Sequence, residues 1–320
     1  MINTDIPPNE AKFDVHFWAD YVELLCLVNP DREISHADIL DRVRERQDLN
    51  EANTQDFTNS SSPAENNDKW DALALNWFNH LTYRSAAFGA FYPFIVDNHR
   101  ISAPPESTVQ HHLYIFLLLA SSLRFFDKKN QSLITSDFEE LSKQALTQCF
   151  PETGEIHIFG SNPYQNSRYN SQNLWARINT LADNLGEQVT AKQKDFSSHN
   201  RGDGGLDIVG WVPTGDHNPG RLVIFGQCAC TPDWTEKQPS ADPNRWRQIM
   251  TLKSLPVTTT FIPLCPRDHN GSWHKEHDIH SFLIDRLRFV HYLQEKSDLI
   301  TGLKSYTIVQ EVISLREPVF

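Results

Sequence analysis

Asp207 and Gln227 have the residue types and the spacing that could form a small metal site. Asp207 follows the glycine-rich stretch RGDGGL and enters an apolar run, and Gln227 ends a second apolar run, VIFGQ. If the two runs are neighbouring strands joined by the turn-forming stretch PTGDHNPG, both side chains reach the same end of a hairpin. The Asp207 carboxylate, the Gln227 amide and the Cys228 main-chain carbonyl would then offer hard oxygen ligands, which Mg²⁺ and Mn²⁺ prefer.

A metal ion held there could support hydrolysis of a phosphodiester bond, because a bound ion polarises a phosphate and activates a water molecule. A nearby lysine would orient that water or stabilise the developing charge. Lys237, in the stretch ACTPDWTEKQ, is the lysine we favour, and Lys192 and Lys194 are the alternatives.

The stretches GDGGLDIVGW and VIFGQCA resemble the PD-(D/E)xK nuclease superfamily, in the GDGGxD…QxK form found in bacterial restriction and anti-phage defence nucleases. The resemblance covers about residues 170–265. It implies that Asp207 is the metal-binding acid and that Gln227 is the second site residue. It also implies an Mg²⁺- or Mn²⁺-dependent endonuclease that acts on DNA.

Two positions depart from the pattern of this superfamily. Ala229 stands where the pattern has its lysine, so the resemblance requires a lysine from elsewhere, for which Lys237 is the first candidate. The helix expected before the strands, NLWARINTLADNLG, offers no glutamate at the usual place. A single-ion site could work without that glutamate, whereas a two-ion site would be weakened.

Four residues are expected to contact the nucleic acid: Arg201, Lys194, Arg245 and Trp234. Trp234 could stack on a base, but an aromatic lid over the core is the favoured alternative. Arg245 lies in a predicted helix, and an ordinary solvent-exposed helix face is the favoured alternative for this residue.

Other kinds of site have weaker support in the sequence. The Cys228–Cys230 pair is spaced more narrowly than usual zinc ligands, and buried thiols explain it as well. The sequence contains neither a G-x-S-x-G elbow nor a G-x-x-x-x-G-K-[ST] phosphate loop. The candidate zinc ligands are Cys228, Cys230, Cys265, His269, His274, His277 and His280.

The 320-residue chain has a net charge of −12, most of it in the first half. Residues 1–150 hold 12 basic and 22 acidic side chains, a net charge of −10, whereas residues 151–320 have a net charge of −2. An acidic region repels a nucleic-acid backbone, so the first half suits a protein partner or a regulatory role. The longest apolar run, 114–120, is too short to span a bilayer, and no signal-peptide pattern is present, so we expect a cytoplasmic protein.

The second half must position the candidate site, and its pattern predicts helix, strand, strand, strand, helix, strand. That order is the one expected for the superfamily core. Gly186 is expected to end the first helix. The predicted ranges are a helix at 174–185, strands at 188–196, 206–212 and 221–229, a helix at 242–254, a strand at 257–264 and a further helix at 279–295.

The first half is predicted to be mainly helical. Residues 47–67 are polar and lack periodicity, which predicts a mobile loop. The run 109–126 is apolar on all sides, which is typical of a buried central helix. The other predictions are helices at 13–28, 35–46 and 68–84, a short strand pair at 93–103, and a helix that starts at Ser136.

We therefore expect an α/β (α+β) protein with two domains. An acidic, mainly helical domain at 1–150 would precede a restriction-endonuclease-like domain at 151–320, whose central mixed sheet is flanked by helices. The expected function is a DNA endonuclease of anti-phage defence, activated by a protein partner, such as an ATPase or sensor of the same system, or by homo-oligomerisation. The alternative is an inactive nuclease-fold subunit that only binds.

Overall fold

The computed structural model describes residues 2–4, 8, 14–51, 63–160, 168–169, 173–196, 202 and 204–317. For 44–51 and 63–69, only the backbone is described. Within the predicted loop 47–67, residues up to 51 and from 63 onward are helical, which corrects both ends of that prediction. The middle of the loop, 52–62, lies outside the described residues.

The described part of the chain contains ten α-helices and eight strands, so the protein is of the mixed α/β class, as predicted. The helices are α1 Val15–Val28, α2 His36–Glu51, α3 Pro63–Phe88, α4 Val109–Ser121, α5 Lys128–Cys149, α6 Leu174–Leu185, α7 Trp234–Lys237, α8 Pro243–Trp246, α9 Arg286–Leu293 and α10 Tyr306–Ser314. The strands are β1 Glu33–Ser35, β2 Ile95–Asp97, β3 Arg100–Ser102, β4 Glu155–Ile158, β5 Ile208–Trp211, β6 Val223–Cys228, β7 Val257–Phe261 and β8 Phe282–Ile284.

The chain divides into two compact units. The first comprises Met1–Gln131, Leu264–His274 and Ser297–Phe320, and the second comprises Ser132–Pro263 and Lys275–Lys296. These bounds differ from the expected division at residue 150, because the chain after residue 131 already belongs to the second unit and its last segment returns to the first.

The first unit contains a three-stranded antiparallel sheet in the order β1-β3-β2. The strand pair predicted at 93–103 is confirmed as β2 and β3. The predicted central helix is confirmed as α4, whose residues 113–120 are all buried. Within the described residues, no helix combines the length and the apolar character needed to cross a membrane.

A buried ionic cluster lies in the core of the first unit. The Arg84 side chain is fully buried, and its Nη1 lies 2.9 Å from Glu23 Oε2 and 2.6 Å from Asp20 Oδ1. The Tyr92 and Tyr114 hydroxyls each donate to Glu23 Oε1 at 2.8 Å. Buried charges are tolerated when they are paired, and Arg84 is paired with both carboxylates here.

The second unit is built on a five-stranded mixed sheet in the order β4-β5-β6-β7-β8. Strands β4, β5 and β6 pair antiparallel, and β7 and β8 run parallel to β6. The strands predicted around 206–212, 221–229 and 257–264 are confirmed as β5, β6 and β7. One face of β5 and β6 packs on α6 and on Trp246 in a buried apolar cluster, so the sheet is helix-covered where the candidate site begins.

The strand predicted at 188–196 is wrong. Residues 193–195 form a 3-10 turn, and Val189 makes only an isolated bridge with Met250. The Lys192 N–H donates to the Asp195 side chain at 3.0 Å, and this local bond competes with strand pairing. The first strand of the antiparallel set is instead β4, which precedes α6.

Three predicted helix boundaries are also wrong. The helix predicted at 242–254 ends at Trp246, because the main chain at Ile249 accepts hydrogen bonds from Thr190 and Ala191. The helix predicted from 279 starts only at Arg286, after β8, where the Asp285 side chain caps it. The helix predicted from Ser136 starts at Lys128. Gly186, by contrast, ends α6 in a left-handed conformation, as predicted.

Candidate active site

Asp207 and Gln227 meet at one end of the β5–β6 hairpin. The register pairs Ile208 with Gly226, and the Asp207 N–H continues the ladder by donating to Gly226 O at 2.9 Å. Gln227 Nε2 donates to Asp207 Oδ2 at 2.5 Å. Both residues are buried, with 6% and 9% of their surface exposed. The structure therefore brings together the two side chains selected from the sequence.

The main chain of Cys228 joins the same group. Its N–H donates to Asp207 Oδ2 at 2.7 Å, and its carbonyl accepts from Gln227 Nε2 at 3.1 Å. Gln227 Oε1 is buried and accepts no hydrogen bond from the described residues. Because a half-turn of the amide exchanges its nitrogen and oxygen, Gln227 has an oxygen to offer to a cation beside Asp207.

The donors at this position fit a hard divalent cation better than zinc. A carboxylate, an amide oxygen and a main-chain carbonyl are oxygen ligands of the kind that Mg²⁺ takes together with several waters. Among the described residues, no three or more His, Cys, Asp or Glu side chains are grouped so that they could hold a metal ion. An ion here would depend on Asp207 and neutral oxygens, and the zinc set considered from the sequence has no support in the described geometry.

Glu139 is a second carboxylate near this group that the sequence reasoning missed. Burial, and after it the negative charges of Asp207 and Glu139, raises the pKa of the Cys228 thiol well above its usual value. Glu139 lies on α5, the helix that precedes β4, β5 and β6. The helix predicted to precede the strands, which has no glutamate at the usual place, is α6. In the structure this helix lies between β4 and β5 along the chain.

The short strand β4 is the reason that the sequence pattern predicts α6, and not α5, as the helix before the sheet. The run 155–158, EIHI, alternates polar and apolar residues and follows the turn-forming stretch PETG. That signal could have identified β4, and with it α5 as the helix before the sheet. The strand has only four residues and is half-buried along most of its length, so its apolar signal in the sequence is weak.

Lys237 lies at the end of α7, in the connection that follows β6. Burial raises the pKa of the Cys230 thiol, and the positive charge of Lys237 opposes that rise. Ala229, at the usual lysine position, is fully buried. Lys192 and Lys194, the two alternatives, are exposed on the 3-10 turn and its flank.

Two glycines shape the loop that leads into Asp207. Gly204 and Gly205 have φ values of +67° and +81°, which strongly favour glycine. A Cβ atom at Gly205 would lie 2.7 Å from the Ser240 Cβ. The buried Arg177 side chain also supports this loop, since its Nη1 donates to Gly202 O at 2.9 Å. The glycine-rich stretch is therefore required for a close approach between this loop and residues 240–245.

The residues expected to contact nucleic acid fall into three groups. Lys194 and Arg245 are exposed, and Arg245 Nη1 also donates to Ser240 O at 3.3 Å. The Trp234 ring lies in the interior with 6% of the residue exposed, the arrangement of a lid over the core rather than an open stacking surface. Arg201 lies outside the described residues.

Comparison with known proteins adds no assignment. No family model, no curated protein and no solved structure matches this chain. The geometry of the site itself is therefore the basis for assigning a function.

Proposed function

We propose that the second unit is a metal-dependent nuclease with a restriction-endonuclease-like core, which hydrolyses phosphodiester bonds of DNA. The observation that carries this proposal is the hydrogen-bonded contact of Asp207 and Gln227, with the Cys228 carbonyl beside them. The strand arrangement supports it: three antiparallel strands, β4, β5 and β6, follow α5, and β7 returns parallel to β6.

Each site residue has a chemical role in this proposal. Asp207, Gln227 through Oε1, and Cys228 through its carbonyl would hold Mg²⁺ or Mn²⁺. The bound ion would supply Lewis-acid activation of a phosphate and of a water molecule. Lys237 would hydrogen-bond the attacking water or the charge that develops on the phosphate. Glu139 would keep a second negative charge near the ion.

Plasmid cleavage tests the proposal. The protein is incubated with supercoiled DNA and Mg²⁺ or Mn²⁺, and nicked and linear products are quantified. Asp207→Ala should lower the rate at least 100-fold, and Lys237→Ala should lower it at least tenfold, because each removes a charge used in the reaction. Asp183→Asn, which neutralises an exposed acid on α6, is the matched control and should cleave like the unmodified protein. Equal cleavage by the Asp207→Ala protein would refute the site assignment.

A nuclease-fold subunit that binds without cutting is the second candidate. The observation in its favour is Ala229, buried at the position where the superfamily pattern has a lysine. DNA binding without cleavage at any metal concentration, with or without the proteins encoded beside it, would favour this candidate. In either case we propose that the acidic first 150 residues receive a protein partner, and that the system serves anti-phage defence.

A further inference from the structure

Gln238 is a buried amide that the proposed chemistry does not use. Only 3% of the residue is exposed. Its Nε2 donates to Asp278 O at 2.8 Å, and its Oε1 accepts from the His280 N–H and the Ser281 hydroxyl, each at 2.9 Å. The Ser281 hydroxyl oxygen lies in turn 2.7 Å from that of Thr260, on β7. The amide thus ties the chain around residue 238 to the segment 278–281 and, through Ser281, to the sheet.

The other side of the same short segment packs on the glycine loop. Ser240 lies against Gly205 so closely that a Cβ at residue 205 would be 2.7 Å from the Ser240 Cβ. Residues 234–241 form α7 and a 3-10 turn that continues from it. This segment is therefore held between the loop that leads to Asp207 and the segment 278–281.

We propose that Gln238 is a positioning residue for Lys237. By fixing the backbone immediately after Lys237, the amide holds in place the main chain from which the lysine side chain extends. The role of Lys237 in cleavage belongs to the proposed function, on which this inference rests. Both halves of the amide are needed, because Nε2 meets a carbonyl acceptor while Oε1 meets donors. Methionine has a similar shape without these bonds, and glutamate lacks the donor.

A double-mutant cycle tests whether Gln238 acts through Lys237. Gln238→Met should lower kcat for plasmid cleavage about tenfold with little change in KM, because substrate contacts stay in place. Ser281→Ala, a milder change that removes one bond to Oε1, should lower kcat less. In a Lys237→Ala background neither change should lower the rate further. Additive losses, or a loss confined to KM, would overturn the inference. Gln248→Met, at an exposed glutamine, is the matched control.

A second measurement is independent of cleavage. Reductive ¹³C-methylation of the full chain labels lysines for NMR, and Lys237→Arg identifies the Lys237 signal. The chemical shift of this signal should change in the Ser281→Ala and Gln238→Met proteins but not in Gln248→Met. An unchanged Lys237 signal in both variants would refute the positioning role even in a protein that cleaves DNA. A shifted Lys237 signal in a protein that never cleaves DNA would support the positioning role of Gln238 and reject the proposed nuclease activity.

Discussion

Asp207 is buried, and a buried carboxylate is costly unless hydrogen-bond donors surround it. Two donors do so here, the Gln227 amide and the Cys228 N–H, and both come from β6. The same residues place the carboxylate beside a main-chain carbonyl and a side-chain amide. The amide nitrogen stabilises the acid in this arrangement, and a half-turn of the amide would present its oxygen to the proposed metal ion instead.

Gln227→Glu should have opposite effects on the free and the metal-bound protein. Two carboxylates would then face each other, so the melting temperature without metal should fall by several degrees. With Mn²⁺ the second carboxylate becomes a ligand, so Mn²⁺ affinity should rise at least tenfold. Calorimetric titration and thermal melting measure the two effects. Gln248→Glu is the control, and a metal affinity unchanged by Gln227→Glu would contradict the site.

Among the structural elements, the glycine loop before β5 is notable because Ser240 and Arg245 lie close to Gly205. Gly205 and Gly215 allow a clean comparison, because their φ values are +81° and +79°. A Cβ at Gly215 would meet nothing within 4 Å, whereas at Gly205 it would meet Ser240 and Arg245. An alanine at either position would have the same backbone strain, and only the one at position 205 would also clash with neighbouring side chains.

Gly205→Ala should therefore destabilise the protein more than Gly215→Ala. The strain of a non-glycine residue in the left-handed region costs about 1 kcal/mol, and the clash at residue 205 should add roughly 1–3 kcal/mol. Urea denaturation followed by circular dichroism gives both free energies of unfolding. A similar decrease in the free energy of unfolding for the two variants would show that the packing of Ser240 on the loop does not contribute to stability.

Helix α1 carries a pH-sensitive group, His16. Its ring nitrogens are buried and form no hydrogen bonds with the described residues. Burial lowers the pKa of His16 to about 3, against the raising effect of Asp20 and Asp14. Between pH 6.5 and 3 the unfolded chain binds a proton at this residue that the folded chain does not. The stability that the buried, neutral His16 contributes to the fold is therefore fully present above pH 6.5 and is lost as the pH falls towards 3.

His16→Phe should reduce the acid sensitivity of the fold. When the pH is lowered from 7 to 4.5, the free energy of unfolding should fall by about 2 kcal/mol more in the unmodified protein than in the variant. Urea denaturation at the two pH values measures this difference. His99→Phe, at an exposed histidine of the same unit, should leave the pH dependence unchanged. Equal acid sensitivity of the His16→Phe protein and the unmodified protein would reject this explanation.

For the molecule as a whole, charge is the property that most limits the proposed binding of DNA. The net charge of −12 is concentrated in residues 1–150, so the overall field opposes a nucleic-acid backbone. The proposed binding would then depend on a few local cations in the second unit, of which Lys194 and Arg245 are exposed. An acidic molecule of this kind needs either a partner or locally concentrated contacts to bind DNA.

Removal of these cations should weaken DNA binding in a salt-dependent way. Arg245→Ala and Lys194→Ala should each lower affinity several-fold and reduce the slope of log affinity against log salt by about 1, since each phosphate contact releases roughly one counterion. Fluorescence anisotropy with labelled duplex at several salt concentrations measures the slope. Lys128→Ala, at an exposed lysine of the first unit, should leave it unchanged. An unaltered slope in both test variants would exclude them as phosphate contacts.

The contact between Asp207 and Gln227 could be predicted from the sequence alone. The two apolar runs that form β5 and β6 and the turn-forming stretch between them indicate the hairpin, and these are interactions between neighbouring parts of the chain. The mixed class, the helix ending at Gly186 and the buried helix α4 were predictable for the same reason. Their signals lie within a short window of residues.

The surroundings of this pair depend on contacts between distant segments of the chain. Glu139 comes from α5, far earlier in the chain than β6, and its charge nevertheless acts on the Cys228 thiol. Gln238 is significant only because segment 278–281 lies next to it, which no local pattern indicates. The failed predictions at 188–196 and 242–254 have the same origin, since those two segments bond to each other. Long-range contacts outweigh weak local propensity wherever a segment has few apolar residues of its own.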